Sequence, residues 1–154
     1  MFLNIEKDVL SMKRLVLILM AFCTLLISGT ALASDYPKYL GGDPNFILVD
    51  AKMGTGWYVD RSSLVVQKYA PPSYAIAVNV CTVPDADRGS TAISQVKTYR
   101  FFYNWNYRSM YVNQDGQWIS LDPSGPWSKN GIVFPAGRLA FRLAYNMDFY
   151  NTRR

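Results

Sequence analysis

The stretch TYRFFYNWNYRSMYVNQDGQWISL, residues 98–121, decides the fold. Its centre is Asp115-Gly116, because a two-residue hairpin turn needs positive φ at both central positions and Asp-Gly adopts it at little cost. Folding the chain there sets Val112 against Ile119 and Met110 against Leu121 on one face. Tyr111, Asn113, Trp118 and Ser120 then share the other face. A one-residue slip would exchange the two faces, so an apolar set that falls together on one side supports this register. With Asn104 to Tyr107 read as the preceding loop, a third strand joins. It lays Tyr99 and Phe101 beside Met110 and Val112, and Arg100 and Phe102 beside Tyr111. The unit is a three-stranded antiparallel meander.

Upstream, Tyr74 to Val83 is the longest strand candidate. It alternates Tyr74, Ile76, Val78 and Val80 with the small set Ala75, Ala77, Asn79 and Cys81, a face suited to close packing of a helix. Shorter extended runs lie at Phe46 to Asp50, Trp57 to Asp60 and Leu64 to Val66, separated by Gly54-Thr55-Gly56 and by the polar turn Asp60 to Ser63. Pro71-Pro72 breaks the chain before Tyr74, since proline cannot donate to a sheet ladder. Downstream, Pro135 opens the one clear helix. Ala136, Leu139/Ala140, Leu143/Ala144, Met147 and Tyr150 recur at helical spacing, and Phe141, Tyr145 and Phe149 form an adjacent aromatic stripe. These elements predict an α+β domain: an antiparallel sheet of about 5–6 strands with a C-terminal helix packed on one face.

The N-terminus reads as an address. Met12-Lys13-Arg14 is a basic start, Leu15 to Ile27 an apolar core, and Ala31-Leu32-Ala33 a small-x-small cleavage site. The organisation expected is an extension and signal peptide over 1–33, an irregular leader over 34–45, and a single β-rich domain with its helix over 46–154. Residues 1–11 lie upstream of the better start at Met12 and read as an over-called start, with translation from Met1 and a longer basic region as the other reading. The apolar core is short for a bilayer-spanning helix of about 20 residues, so no transmembrane segment is expected after cleavage. The expected location is periplasmic, cell-surface or secreted. Cys23 follows Phe22 where a lipid-attachment site needs a small residue, and the apolar run continues past it.

Composition narrows the chemistry. The chain of 154 residues is 50% hydrophobic and 18% charged, which excludes global disorder. It has no histidine, and its one glutamate, Glu6, lies in the segment to be removed. Past residue 33 there remain thirteen Lys and Arg against nine aspartates, about +4. Without histidine there is no Ser-His, Cys-His or zinc-His mechanism. The nine aspartates sit mostly beside Gly, Pro or Ser in turns, among them Asp43, Asp60, Asp85, Asp87, Asp115 and Asp122, and turn chemistry explains them. The Asp85-Ala86-Asp87-Arg88-Gly89 run imitates a calcium loop but carries Val96 where the bidentate acid belongs. No glycine-rich phosphate loop and no metal-ligand spacing appear. The expectation is therefore no catalytic residue, no metal and no cofactor. Cys81 is the one cysteine of the mature chain, so no intrachain disulfide forms there.

A binding role fits better. The candidate patch is Arg100, Phe102, Trp105, Tyr107, Tyr111 and Trp118, of residue types enriched at interface hot spots. Two other readings stand beside it: the face of Arg100, Phe102, Tyr111 and Trp118 is the buried one, or a plain solvated sheet. The loop residues Trp105 and Tyr107 either contact a ligand or fold back on the core. The net charge is small and scattered, and export argues against nucleic acid as a partner.

Taken together, the signal peptide, the motif Trp57-Tyr58-Val59-Asp60-Arg61-Ser62-Ser63, the central antiparallel sheet and Pro135-Ala136-Gly137 near the end resemble the bacterial surface-adhesin protein E-like family. The resemblance covers most of residues 46–150. It implies an antiparallel sheet with a packed helix, an envelope location and, from the family's founding member, binding of host matrix proteins such as laminin and vitronectin. That founding member is lipid-anchored and disulfide-bonded, and this sequence departs from it at both points. The expected function is an exported, non-catalytic envelope or secreted binding module of surface-adhesin type, whose partner is a protein or an envelope or host matrix component. The alternative is an accessory component of an envelope assembly that meets a protein by sheet-edge pairing.

Overall fold

The computed structural model describes residues 35–146 and Asp148. The signal segment 1–33, and Met147, Phe149 and Tyr150 of the helical stripe, lie outside the described residues. Six strands run in sequence: β1 (Phe46–Lys52), β2 (Thr55–Ala70), β3 (Ser73–Val83), β4 (Gln95–Asn104), β5 (Ser109–Gln114) and β6 (Gln117–Leu121). Each pairs antiparallel with the next, so the sheet order is the chain order. A one-turn helix, α1 (Trp127–Asn130), precedes α2 (Val133–Tyr145). The fold is α+β, a six-stranded antiparallel sheet with a C-terminal helix. Among the described residues no helix is long and apolar enough to cross a membrane.

The Asp115-Gly116 hairpin forms in the expected register. Met110 faces Leu121, Val112 faces Ile119 and Asn113 faces Trp118, with both turn residues at positive φ. The β4–β5 pairing differs from expectation by two residues: Phe101 meets Val112 and Tyr103 meets Met110, so the faces hold while the four-residue loop moves one place along the chain, from Asn104–Tyr107 to Trp105–Arg108. The cause is Asn104. Its side-chain oxygen accepts the N–H groups of Asn106 and Tyr107, which starts the loop after Asn104 and returns the chain at Ser109.

The turn expected at Asp60 to Ser63 is a bulge within one long strand. Asp60 accepts from the Ser62 N–H, and the Ser63 hydroxyl donates to the Asp60 carbonyl while accepting the Asn79 N–H. A side chain thus takes the place of a backbone ladder partner, and the strand continues without an orphaned donor.

The helix lies on the face opposite to the one its small neighbours suggested. The core joins Val59, Ile76, Val78, Val80, Phe101, Tyr103, Met110, Val112 and Leu121 of the sheet to Ala136, Ala140 and Phe141 of α2. Closeness comes from the helix rather than the sheet. A Cβ on Gly137 would stand 2.7 Å from Met110 Sδ and 2.9 Å from Phe101 Cε1, so only glycine admits this approach. The helix ends at Asn146, whose left-handed φ of 52° lets its N–H reach the Arg142 carbonyl. On the other face, the Cys81 end of β3 lies beside a smaller cluster of Leu40, Tyr58, Val83 and Ala86, with Tyr36, Phe46 and Leu48 against it.

Candidate functional site: an aromatic groove on the open sheet face

Side chains alternate across a strand, so the neighbours of the buried core residues point to the opposite face. In β4 to β6 that face carries Arg100, Phe102, Tyr111 and Trp118, and no helix among the described residues covers it. Phe102 stands directly opposite Tyr111, their ring centres 5.9 Å apart, and the Trp118 ring lies 5.8 Å from Phe102. Together with Asn104 and Tyr107 these rings line an open groove of about 330 Å³. Phe102 and Tyr111 are half-buried, Trp118 is 43% exposed and Tyr107 76% exposed. The lining is uncharged and amphipathic, with aromatic faces edged by two phenols, an indole N–H and an amide.

Four of the six expected patch residues thus line one groove. Arg100 is beside it, one strand pleat from Phe102, and its Nε donates to Gln67 Oε1 at 3.1 Å. Trp105 does not belong to the patch. It folds back toward the helix-covered face, 6.3 Å from the Tyr103 ring and edge-on to it. The Arg108 guanidinium caps it 3.7 Å from the ring centre, and the Trp105 N–H donates to the Pro72 carbonyl. The Asn104 turn leaves Trp105 on the helix-covered side and Tyr107 at the groove. Asn104 is the lining residue that sequence reasoning missed. Its signal was an Asn two residues before another polar loop residue, the Asx-turn pattern.

The groove lining brings together no carboxylate, thiol or amine, so it offers a surface for contact and no acid–base pair. Elsewhere, burial raises Tyr103 and Tyr145 on the helix side, and Tyr58 and Cys81 on the other. Cys81 is 2% exposed, and burial, aided by the Asp60 carboxylate, keeps its thiol protonated. Comparison with known protein families, with curated proteins and with solved structures finds no match for this chain.

Proposed function

We propose that this protein is an exported, non-catalytic binding module of the cell envelope or medium, and that the aromatic groove receives its partner. The groove of Phe102, Asn104, Tyr107, Tyr111 and Trp118 on the uncovered sheet face carries the reading. Large aromatic side chains left half-exposed and side by side cost solvation in the free protein and repay it when a ligand covers them. The Asp residues in turns, the buried neutral Cys81 and the absence of histidine from the chain support a role without chemistry. The signal-like N-terminus and the family resemblance support host matrix proteins as the partner.

Immobilised laminin and vitronectin are the direct probes. The purified protein should bind at least one of them, and Phe102→Ala with Trp118→Ala should weaken that binding at least tenfold while the melting temperature stays close to that of the parent. Equal binding by parent and variant would remove the groove from the function. Intact cells should expose the protein to added protease, and complete protection would confine it to the periplasm and end the adhesin reading.

A further inference from the structure

The two sheet edges are treated differently. Along β1, Tyr39 bridges to Ile47, the Leu48 N–H donates to the Lys38 carbonyl, and a register shift between Leu48 and Asp50 bends the strand. The free half of β2 carries Arg61, Lys68 and two register shifts. Charges, bulges and a covering segment are the usual guards of an edge. Among the described residues β6 has none of them. It is Gln117-Trp118-Ile119-Ser120-Leu121, uncharged and without proline or bulge, and no other strand among the described residues pairs with its outer side. Trp118 and Ile119 sit on it 43% and 41% exposed.

The hydrogen-bond phase of this edge is set by its turn. In a two-residue hairpin the residues flanking the loop exchange both backbone bonds, and such pairs then alternate along the ladder. Gln114 and Gln117 flank Asp115-Gly116, so Gln117, Ile119 and Leu121 spend their backbone groups on β5. Trp118 and Ser120 point theirs outward. Once covered, such groups need partners.

We propose that β6 pairs antiparallel with β6 of a second copy of this chain, about a two-fold axis through Ile119. That register is self-complementary. Trp118 exchanges a reciprocal pair of backbone bonds with Ser120 of the second copy, Ser120 does the same with its Trp118, and every outward group of the strand is used. Ile119 meets Ile119 on the helix side and covers the open end of the core. Both Trp118 rings fall on the same, open face, so the two aromatic grooves run into one another across the axis. The residues paired along β6 bring no charge together. At its ends each Asp122 lies opposite Gly116 of the second copy and one residue from its Asp115, so salt should strengthen the pairing by screening. The pairing does not depend on what the groove binds.

A residue on the axis meets itself, which gives the test. Opposed residues in a non-hydrogen-bonded pair have Cα atoms about 4.5 Å apart, within the reach of a disulfide. Under mild oxidation the Ile119→Cys protein should run as a covalent dimer. Gln117→Cys and the unaltered chain, with the same native thiols, should not. In sedimentation the unaltered protein should be dimeric, and Ile119→Lys should raise the dimer dissociation constant at least tenfold. Ser120→Pro, which removes an outward N–H and no bond within the sheet, should do the same. A monomer at every concentration, or a dimer indifferent to Ile119→Lys and Ser120→Pro, overturns the proposal. So does an Ile119→Cys protein that links to a different envelope protein and not to its own kind.

Discussion

The two faces of the sheet are built from alternate residues of the same strands, and they meet different fates. On one, Phe101, Tyr103, Met110 and Val112 are fully buried under α2. On the other, Phe102, Tyr111 and Trp118 stand one residue away along the same strands and remain partly open. Apolar character does not distinguish them, since both faces carry aromatics. Fit does. The helix brings Ala136, Gly137 and Ala140 to the covered face, small enough to settle among large sheet side chains. The open face holds a cluster of large rings that no small-residue surface among the described residues opposes.

Mutations should separate the two faces by the size of their effect on stability. Phe141 is 1% exposed and packs 5.7 Å from the Tyr103 ring. Phe141→Ala should cost about 3–5 kcal/mol in denaturant unfolding, a large part of the total stability of a domain. A cost below about 1 kcal/mol would mean that α2 is not the cover of the core. Gly137→Val should follow at about 1–3 kcal/mol, because its side chain must displace Met110 or Phe101. A stabilised variant would show that the helix stands off the sheet.

Alkaline titration sharpens the comparison in a different way. Tyr103 and Tyr145 on the helix side, and Tyr58 and Cys81 on the other, are raised by burial above ordinary values of 10.0 and 9.0. The folded state therefore holds these protons more tightly than the unfolded chain. Stability from this source is intact below the ordinary values and should fall as pH rises through them. Equilibrium unfolding at graded alkaline pH checks this, and Tyr103→Phe should flatten part of the decline. A decline of unchanged slope would acquit Tyr103.

Trp118→Ala, on the open face, should change stability by less than about 1 kcal/mol, because much of the ring is already in water. A core-sized loss there would mean that the groove is part of the packed interior. The smallest effect belongs to the exposed ion pair of Arg142 and Asp148 beyond the helix end. Asp148→Asn should shift stability by no more than about 0.5 kcal/mol, and high salt should erase even that.

What the sequence disclosed, it disclosed through local chemistry. Asp115-Gly116 determined a turn type, the turn type determined the β5–β6 register, and alternation then assigned Met110 and Val112 to one face and Tyr111 and Trp118 to the other. Helical spacing found α2 because its period is internal to the segment. The β4–β5 offset of two residues escaped because it turns on one side-chain group, the Asn104 oxygen that accepts from the Asn106 and Tyr107 N–H groups. The bulge at Ser63 escaped for the same kind of reason, since the Asn79 N–H that satisfies it comes from sixteen residues away.

The choice of face was invisible for a further reason. Both readings of β3, a small face for the helix or a large one, satisfy the alternation of its side chains. Only the glycine and alanines of α2, seen against Met110 and Phe101, decide between them. Trp105 and Tyr107 are likewise equivalent as loop aromatics, and the path of the chain past Pro72 sends one to the core and leaves the other at the groove. By itself, then, the sequence determined the class of fold, the hairpin register and which residues share a face, because each follows from bonding within a few neighbouring residues. The tertiary structure alone decided which face is covered, which rings make the groove and which strand edge is left open, because those depend on fit between segments far apart in the chain.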